Sequence, residues 1–162
     1  MRREDINMEF IEPGTATKLK IEESVAFFFS KYMEEYNFKI ESGGIIVGTL
    51  NIHENQVIVT DITLPYVNDV RKSNMFKRDS FGHQEEMDKL WEESNRTKTY
   101  LGEWHTHKQD IPVPSWIDKN DWKRISKKTL NYKAAFFVIV GQKEIKVWMA
   151  LDGKIMEMKE VQ

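Results

Sequence analysis

Cysteine is absent from the 162-residue chain. That removes disulfide frameworks, thiolate zinc sites, iron–sulfur clusters and cysteine nucleophiles from consideration together. An excess of charge is missing as well. Twenty-four basic residues face 26 acidic ones for a net charge of −2, so neither nucleic acid nor a membrane is an expected partner. Long apolar runs are also lacking, and the longest, Ala134 to Val140, is far too short to span a bilayer. The opening Met1-Arg2-Arg3-Glu4-Asp5 leads into no apolar segment, so no Sec-type signal is expected and the cytoplasm is the expected compartment. Repeats, low-complexity segments and Pro/Gly/Ser-rich linkers do not divide the chain. With 40% hydrophobic residues in 19.2 kDa, one domain over residues 1–162 with a sizeable core is expected.

What is present is a mixture of two periodicities. Ile21, Val25, Phe28, Phe29, Tyr32, Met33 and Tyr36 form a stripe at helical spacing, which predicts an amphipathic helix over 17–37. Glu41 to Gly48 and Gln56 to Leu64 read as paired strands, with His53-Glu54-Asn55 in the turn. A polar excursion over 65–99 follows, with a helix predicted over 84–94 that buries Met87, Leu90 and Trp91. So long an excursion between strands suggests a function, such as holding substrate. Tyr100 to His107 reads as a strand and Ser115 to Lys128 as a helix. Residues 134–140, 144–151 and 154–158 read as a meander with turns at Gly141-Gln142 and Asp152-Gly153. The fold class expected is a mixed α/β domain.

Two of the four histidines stand in Trp104-His105-Thr106-His107. On a strand, residues i and i+2 share a face, so both imidazoles can reach one point. Two imidazoles do not complete a zinc site, and without cysteine a third ligand must be His, Asp or Glu. After seven intervening residues stiffened by Pro112 and Pro114 comes Ser115-Trp116-Ile117-Asp118. Ser115 suits a helix N-cap and Asp118 the first turn. Asp118 could complete a His–His–Asp site for one zinc, with water in the fourth position, the open arrangement of a catalytic metal. Ser115 and Asp118 alone would make an ordinary helix cap, and a lone His-x-His pair is usually incidental. The joint spacing is different: chance produces it roughly 0.0002 times per chain of this composition.

The run His105-x-His107-x7-Ser115-x2-Asp118, with Glu41-Ser42-Gly43-Gly44-Ile45-Ile46-Val47-Gly48 upstream, resembles the signature of the JAB/MPN (JAMM) metalloproteases. The resemblance implies a single domain with a mixed, curved sheet flanked by helices, similar to the cytidine deaminases. It also implies that His105, His107 and Asp118 bind zinc, that Glu41 is the general base, and that Ser115 helps to hold the oxyanion. Tyr100 to His107, the Pro-x-Pro-Ser-x-x-Asp run, Trp122, Phe76-x-Arg78 and His83 are similar to one bacterial branch, whose members are encoded in CBASS antiphage operons. That branch implies an isopeptidase acting after the C-terminal tail of a conjugated carrier, a cGAS-like nucleotidyltransferase attached by an E1–E2 fusion. A bacterial ubiquitin-like carrier is the alternative, and a non-catalytic MPN scaffold or a small-molecule hydrolase ranks below both. Family members usually carry proline after the second histidine, where this chain has Lys108.

Of the other candidates, His53 and His83 are not expected to be ligands. Glu103 shares the histidines' face and could bond an imidazole or stand in a salt bridge. Asp121 reads as a helix-surface acid and Lys123-Arg124 with Lys127-Lys128 as a solvated face. Trp104 and Trp116 could pack in the core or line a substrate channel.

Overall fold

The computed structural model describes residues 8–35, 40–65, 70–72, 75–77, 80–128, 130 and 132–161. In chain order the elements are β1 (Met8–Glu12), β2 (Thr17–Ile21), α1 (Glu23–Glu35), β3 (Gly43–Asn51), β4 (Gln56–Ile62), β5 (Val70–Lys72) and β6 (Met75–Lys77). They continue with α2 (Ser80–Glu93), β7 (Thr99–Thr106), α3 (Trp116–Ser126), β8 (Ala135–Val140), β9 (Ile145–Leu151), β10 (Lys154–Glu157) and β11 (Lys159–Glu160). Tyr36, Asn37 and Arg78 lie outside the described residues, and Phe76 is described by its backbone alone.

The helix expected over 17–37 needs correction. Residues Thr17–Ile21 form a strand, and only Glu23–Glu35 are helical. Thr17, Leu19 and Ile21 are buried while Lys18 is exposed and Lys20 half-buried, an alternation of period two. The strand is held by parallel pairing to β4, Leu19 beside Val57 and Ile21 beside Val59. The excursion over 65–99 carries a small β5–β6 hairpin and α2, which begins four residues earlier than predicted. The meander β8–β9–β10 forms as expected. Its second turn places Asp152 and Gly153 at φ 47° and 80°, the left-handed pair that a tight two-residue hairpin requires.

One mixed sheet runs β10-β9-β8-β7-β3-β4-β2-β1-β11. Its two end strands, β10 and β11, are successive pieces of one run of chain with only Met158 between them. β7 lies in the middle, antiparallel to β3 and parallel to β8. Against one face packs the α1 core of Val25, Phe29, Tyr32, Trp104, Phe136 and Val138. Against the other, Trp122 and Ile125 of α3 meet Phe137, Ile139 and Trp148, and Met87 of α2 meets Ile45 and Val47. Register slips opposite Ile46 and Val47, where β7 contributes Gly102. A Cβ there would run into the carbonyl oxygen of Phe136, so the bulge needs glycine. No helix among the described residues is long and apolar enough to cross a membrane.

Candidate metal centre

The site forms at the end of β7. His107 lies one residue beyond that strand, yet its N–H donates to the carbonyl of Val140 at 3.1 Å, prolonging the pairing with β8. The chain therefore stays extended through both histidines and their side chains leave the same face. Their Nε2 atoms stand 3.0 Å apart. Trp122 lies beside the His105 ring, centroids 6.4 Å apart, and is itself stacked on Phe137 at 4.7 Å.

Asp118 arrives from α3. Ser115 is the N-cap, with a reciprocal capping box: its Oγ accepts from the Asp118 N–H at 3.1 Å, and Asp118 Oδ2 accepts from the Ser115 N–H at 2.8 Å. The cap thereby fixes the carboxylate's rotamer as well as the helix start. Asp118 Oδ1 comes within 3.3 Å of His105 Nε2, and Oδ2 within 3.2 Å of His107 Nε2. Ser115 is exposed. Because its oxygen only accepts in the cap, its hydroxyl hydrogen is left to donate elsewhere.

Glu41 stands just before β3. The Ser42 N–H donates to Thr106 Oγ1 at 2.9 Å, and the Thr106 N–H returns to the Ser42 carbonyl at 2.8 Å. This clasp ties the start of β3 to the end of β7 and brings Glu41 Oε1 to 3.8 Å from His107 Nε2. Glu41, His105 and His107 are all buried.

His105, His107 and Asp118 offer three ligand atoms that lie within 4.8 Å of one another. Ligand atoms ~2.0–2.1 Å from a tetrahedral zinc stand ~3.3 Å apart; here the two Nε2 atoms are 3.0 Å apart, and each approaches a different oxygen of Asp118, Oδ1 at 3.3 Å from His105 and Oδ2 at 3.2 Å from His107, so the three side chains converge at about the spacing a zinc ion needs. The electrostatics agree. Burial opposes charge on Asp118, but hydrogen bonds from His105, His107 and the Ser115 N–H outweigh it and hold the carboxyl far below its usual range. Burial likewise opposes a proton on His107, and the carboxylates of Asp118 and Glu41 overcome it, raising its pKa. The cluster thus sets a partly exposed carboxylate against two buried imidazoles.

The sequence of residues 32–151 matches the family described as prokaryotic homologs of the JAB domain. The chain belongs to that family. It is also 32% identical over 139 residues to a CD-NTase/cGAS isopeptidase of Pseudomonas aeruginosa, covering 83% of this chain and 87% of that one. A protein of the same name from Escherichia coli is 31% identical over 136 residues, 84% of each chain. Among solved structures, the solution structure of protein DSY2949 from Desulfitobacterium hafniense is similar in fold, with a TM-score of 0.58, 15% identity and coverage of 86% and 87%. As a JAB-family protein with isopeptidases among its relatives, the chain is a hydrolase.

The remaining candidates separate clearly. His53 is exposed in the β3–β4 turn. His83 is fully buried in α2, its Nδ1 2.6 Å from Thr63 Oγ1. Thr63 also accepts the Ile45 N–H on that oxygen and the Trp104 indole N–H on its carbonyl, so His83 anchors α2 to the sheet. Glu103 faces a cavity of about 280 Å³ between α2 and α3, with His83, Tyr100 and Arg124. Asp121 is exposed and 3.4 Å from Arg124, a helix-surface acid as expected. Trp104 belongs to the core, whereas Trp116 is 78% exposed and so packs in no core. A groove of about 780 Å³ runs along the other side of α3, between Val113, Lys119, Lys123 and Trp148.

Gln109 was not singled out by sequence. Its Oε1 lies 3.2 Å from His107 Nδ1 and accepts the Val113 N–H at 2.9 Å. The only sequence cue was its place two residues after a histidine.

Proposed function

We propose that the protein is a cytoplasmic zinc isopeptidase that cleaves the bond after the C-terminus of a cGAS-like nucleotidyltransferase, undoing conjugation by an E1–E2 enzyme. The observation that carries this reading is the cluster itself: two imidazole nitrogens 3.0 Å apart, each within 3.3 Å of one oxygen of the Asp118 carboxylate, with a buried glutamate 3.8 Å from His107. The CD-NTase/cGAS substrate is taken from the names of relatives that match most of the chain.

In this reading His105, His107 and Asp118 hold one zinc. Bound zinc supplies a Lewis acid that makes water nucleophilic near neutral pH. Glu41 takes the water's proton on its carboxylate and returns it to the leaving amine, and its burial keeps bulk water from competing for that proton. Ser115 donates its hydroxyl hydrogen to the carbonyl oxygen as negative charge grows there. The capping box keeps both Ser115 and Asp118 in place without either leaving α3.

The test uses the purified protein and a nucleotidyltransferase joined through its C-terminal carboxyl to a lysine side chain. About one zinc per chain and release of the carrier are expected. His107→Ala should lose both, while Glu41→Gln should keep the metal and stop cleavage. Zinc-loaded wild type that leaves this conjugate intact but cuts a ubiquitin-like one would replace the carrier. Wild type that takes up no zinc would end the reading.

A further inference from the structure

We propose that the groove beside α3 is a docking site for an extended, acidic segment of polypeptide that also carries apolar side chains. The inference deepens the proposed function by naming what is read near the bond that is cut. It rests on that reading for this consequence, though not for the binding itself.

The groove, of about 780 Å³, lies between the loop that precedes α3 and the strands β9 and β10. Its apolar floor adjoins the metal centre. Trp148 stands 5.3 Å from Trp122, which stands 6.4 Å from the His105 ring, centroid to centroid. The loop wall ends at Pro114, the residue before Ser115, so a chain leaving the site past Ser115 reaches the groove by crossing Pro114. This rim is apolar and open to solvent: Ile111, Val113, Trp116 and Ile117 are each more than half exposed. A cluster of that kind beside a site marks a surface that another molecule covers.

Charge selects the occupant. Lys119, Lys123, Lys146 and Lys154 line the groove, with Glu157 as the one acid among its described lining residues, in a chain of net charge −2. Lys146 is matched by Glu144 and Glu157, each at 3.5 Å. Lys119 and Lys123 are exposed and join no ion pair among the described residues. Trp116, Lys119 and Lys123 follow at spacings of three and four and so form one row along α3. Carboxylates on an apolar-bearing chain complement such a row. A nucleic acid fits less well, because Glu157 interrupts the cations a phosphate backbone needs and Trp148 is buried rather than open for stacking. Lys119 and Lys123 lie four and eight residues along the helix from Ser115, roughly 6 and 12 Å. That is a reach of about two and four residues of extended chain, which places the preferred acids at those distances from the scissile bond.

The test uses the full chain at physiological salt and a fluorescein-labelled octapeptide of alternating leucine and glutamate, read by anisotropy. It should bind about 10-fold or more tightly than its glutamine counterpart. Lys119→Glu with Lys123→Glu should abolish that margin at an unchanged melting temperature, while Lys18→Glu with Lys133→Glu, the same charge change at distant exposed sites, should leave it. Conjugates with glutamates two and four residues from the scissile bond should show a lower KM than glutamine versions at equal kcat. No measurable binding of the acidic peptide would overturn the proposal. So would equal affinity for the glutamine peptide, an equal loss from the distant pair, tighter binding of an oligothymidylate, or equal KM values for the two conjugates. Should wild type take up no zinc, the proposed function would fall while anisotropy still decided the groove.

Discussion

Trp104 and His105 are neighbours on β7 and serve opposite chemistries. Trp104 is fully buried between Phe28, Phe29 and Tyr32, with ring centroids 5.5–6.0 Å away, and its one polar atom is satisfied by the Thr63 carbonyl. His105 leaves the other face towards His107 and Asp118. The period of two separates them completely. One face spends the strand on packing and tolerates no polar atom without a partner. The other gathers two imidazoles and a carboxylate whose ligand atoms lie within 4.8 Å of one another. A strand embedded in the middle of a sheet gives the second face a rigidity that a loop would not.

Substitutions on the two faces should therefore fail differently. The largest effect on turnover is expected from Glu41→Gln, a loss of about 10²–10⁴-fold in kcat with zinc content and melting temperature retained. Parallel loss of zinc would show that Glu41 holds the site together instead. On the opposite face, Trp104→Ala should cost ~3–5 kcal/mol of stability through the cavity it leaves, read by urea titration. The folded fraction should keep its zinc. If zinc were lost in proportion, the two faces would not be independent.

pH sharpens the contrast, because two groups on the site face titrate with shifted values. The raised pKa of His107 contributes stability to the metal-free protein below the ordinary histidine value of ~6.5, and this is lost as pH rises through the higher folded-state value. The depressed carboxyl of Asp118 works in the other sense. Its contribution is present above the ordinary carboxylate range and lost as pH falls through its lowered value. Metal-free protein should thus lose melting temperature on alkalinisation past neutrality, whereas zinc-loaded protein, with the metal in the proton's place, should not. Melts with and without chelator across pH would show it, and coincident curves would contradict it. The smallest effect is expected far from the site. Tyr132 donates its hydroxyl to Asn55 Oδ1 at 2.6 Å, and Tyr132→Phe should cost ~1 kcal/mol with turnover unchanged.

The histidine pair and Asp118 were legible because strand alternation and a capping signature are local patterns, carried by residues three or fewer apart. Glu41 was not legible from local pattern. It was chosen only through the family resemblance, and its approach to His107 depends on the Ser42–Thr106 clasp between residues 64 apart. β2 was hidden for a related reason. Its five residues alternate, but they abut the helical stripe at Ile21, and the parallel pairing to β4 that makes them a strand lies nearly forty residues away. His83 read as polar loop because nothing nearby announced Thr63 as its partner.

The run from Lys154 to Glu160 pairs with β9 at one end of the sheet and with β1 at the other. Removing seven residues would therefore bare two strand edges at once, each with a row of unpaired N–H and C=O groups ready to recruit another chain. Protection from aggregation is concentrated in the least buried pair of strands in the main sheet, a short strap that guards both ends of a fold whose chemistry lies in the middle.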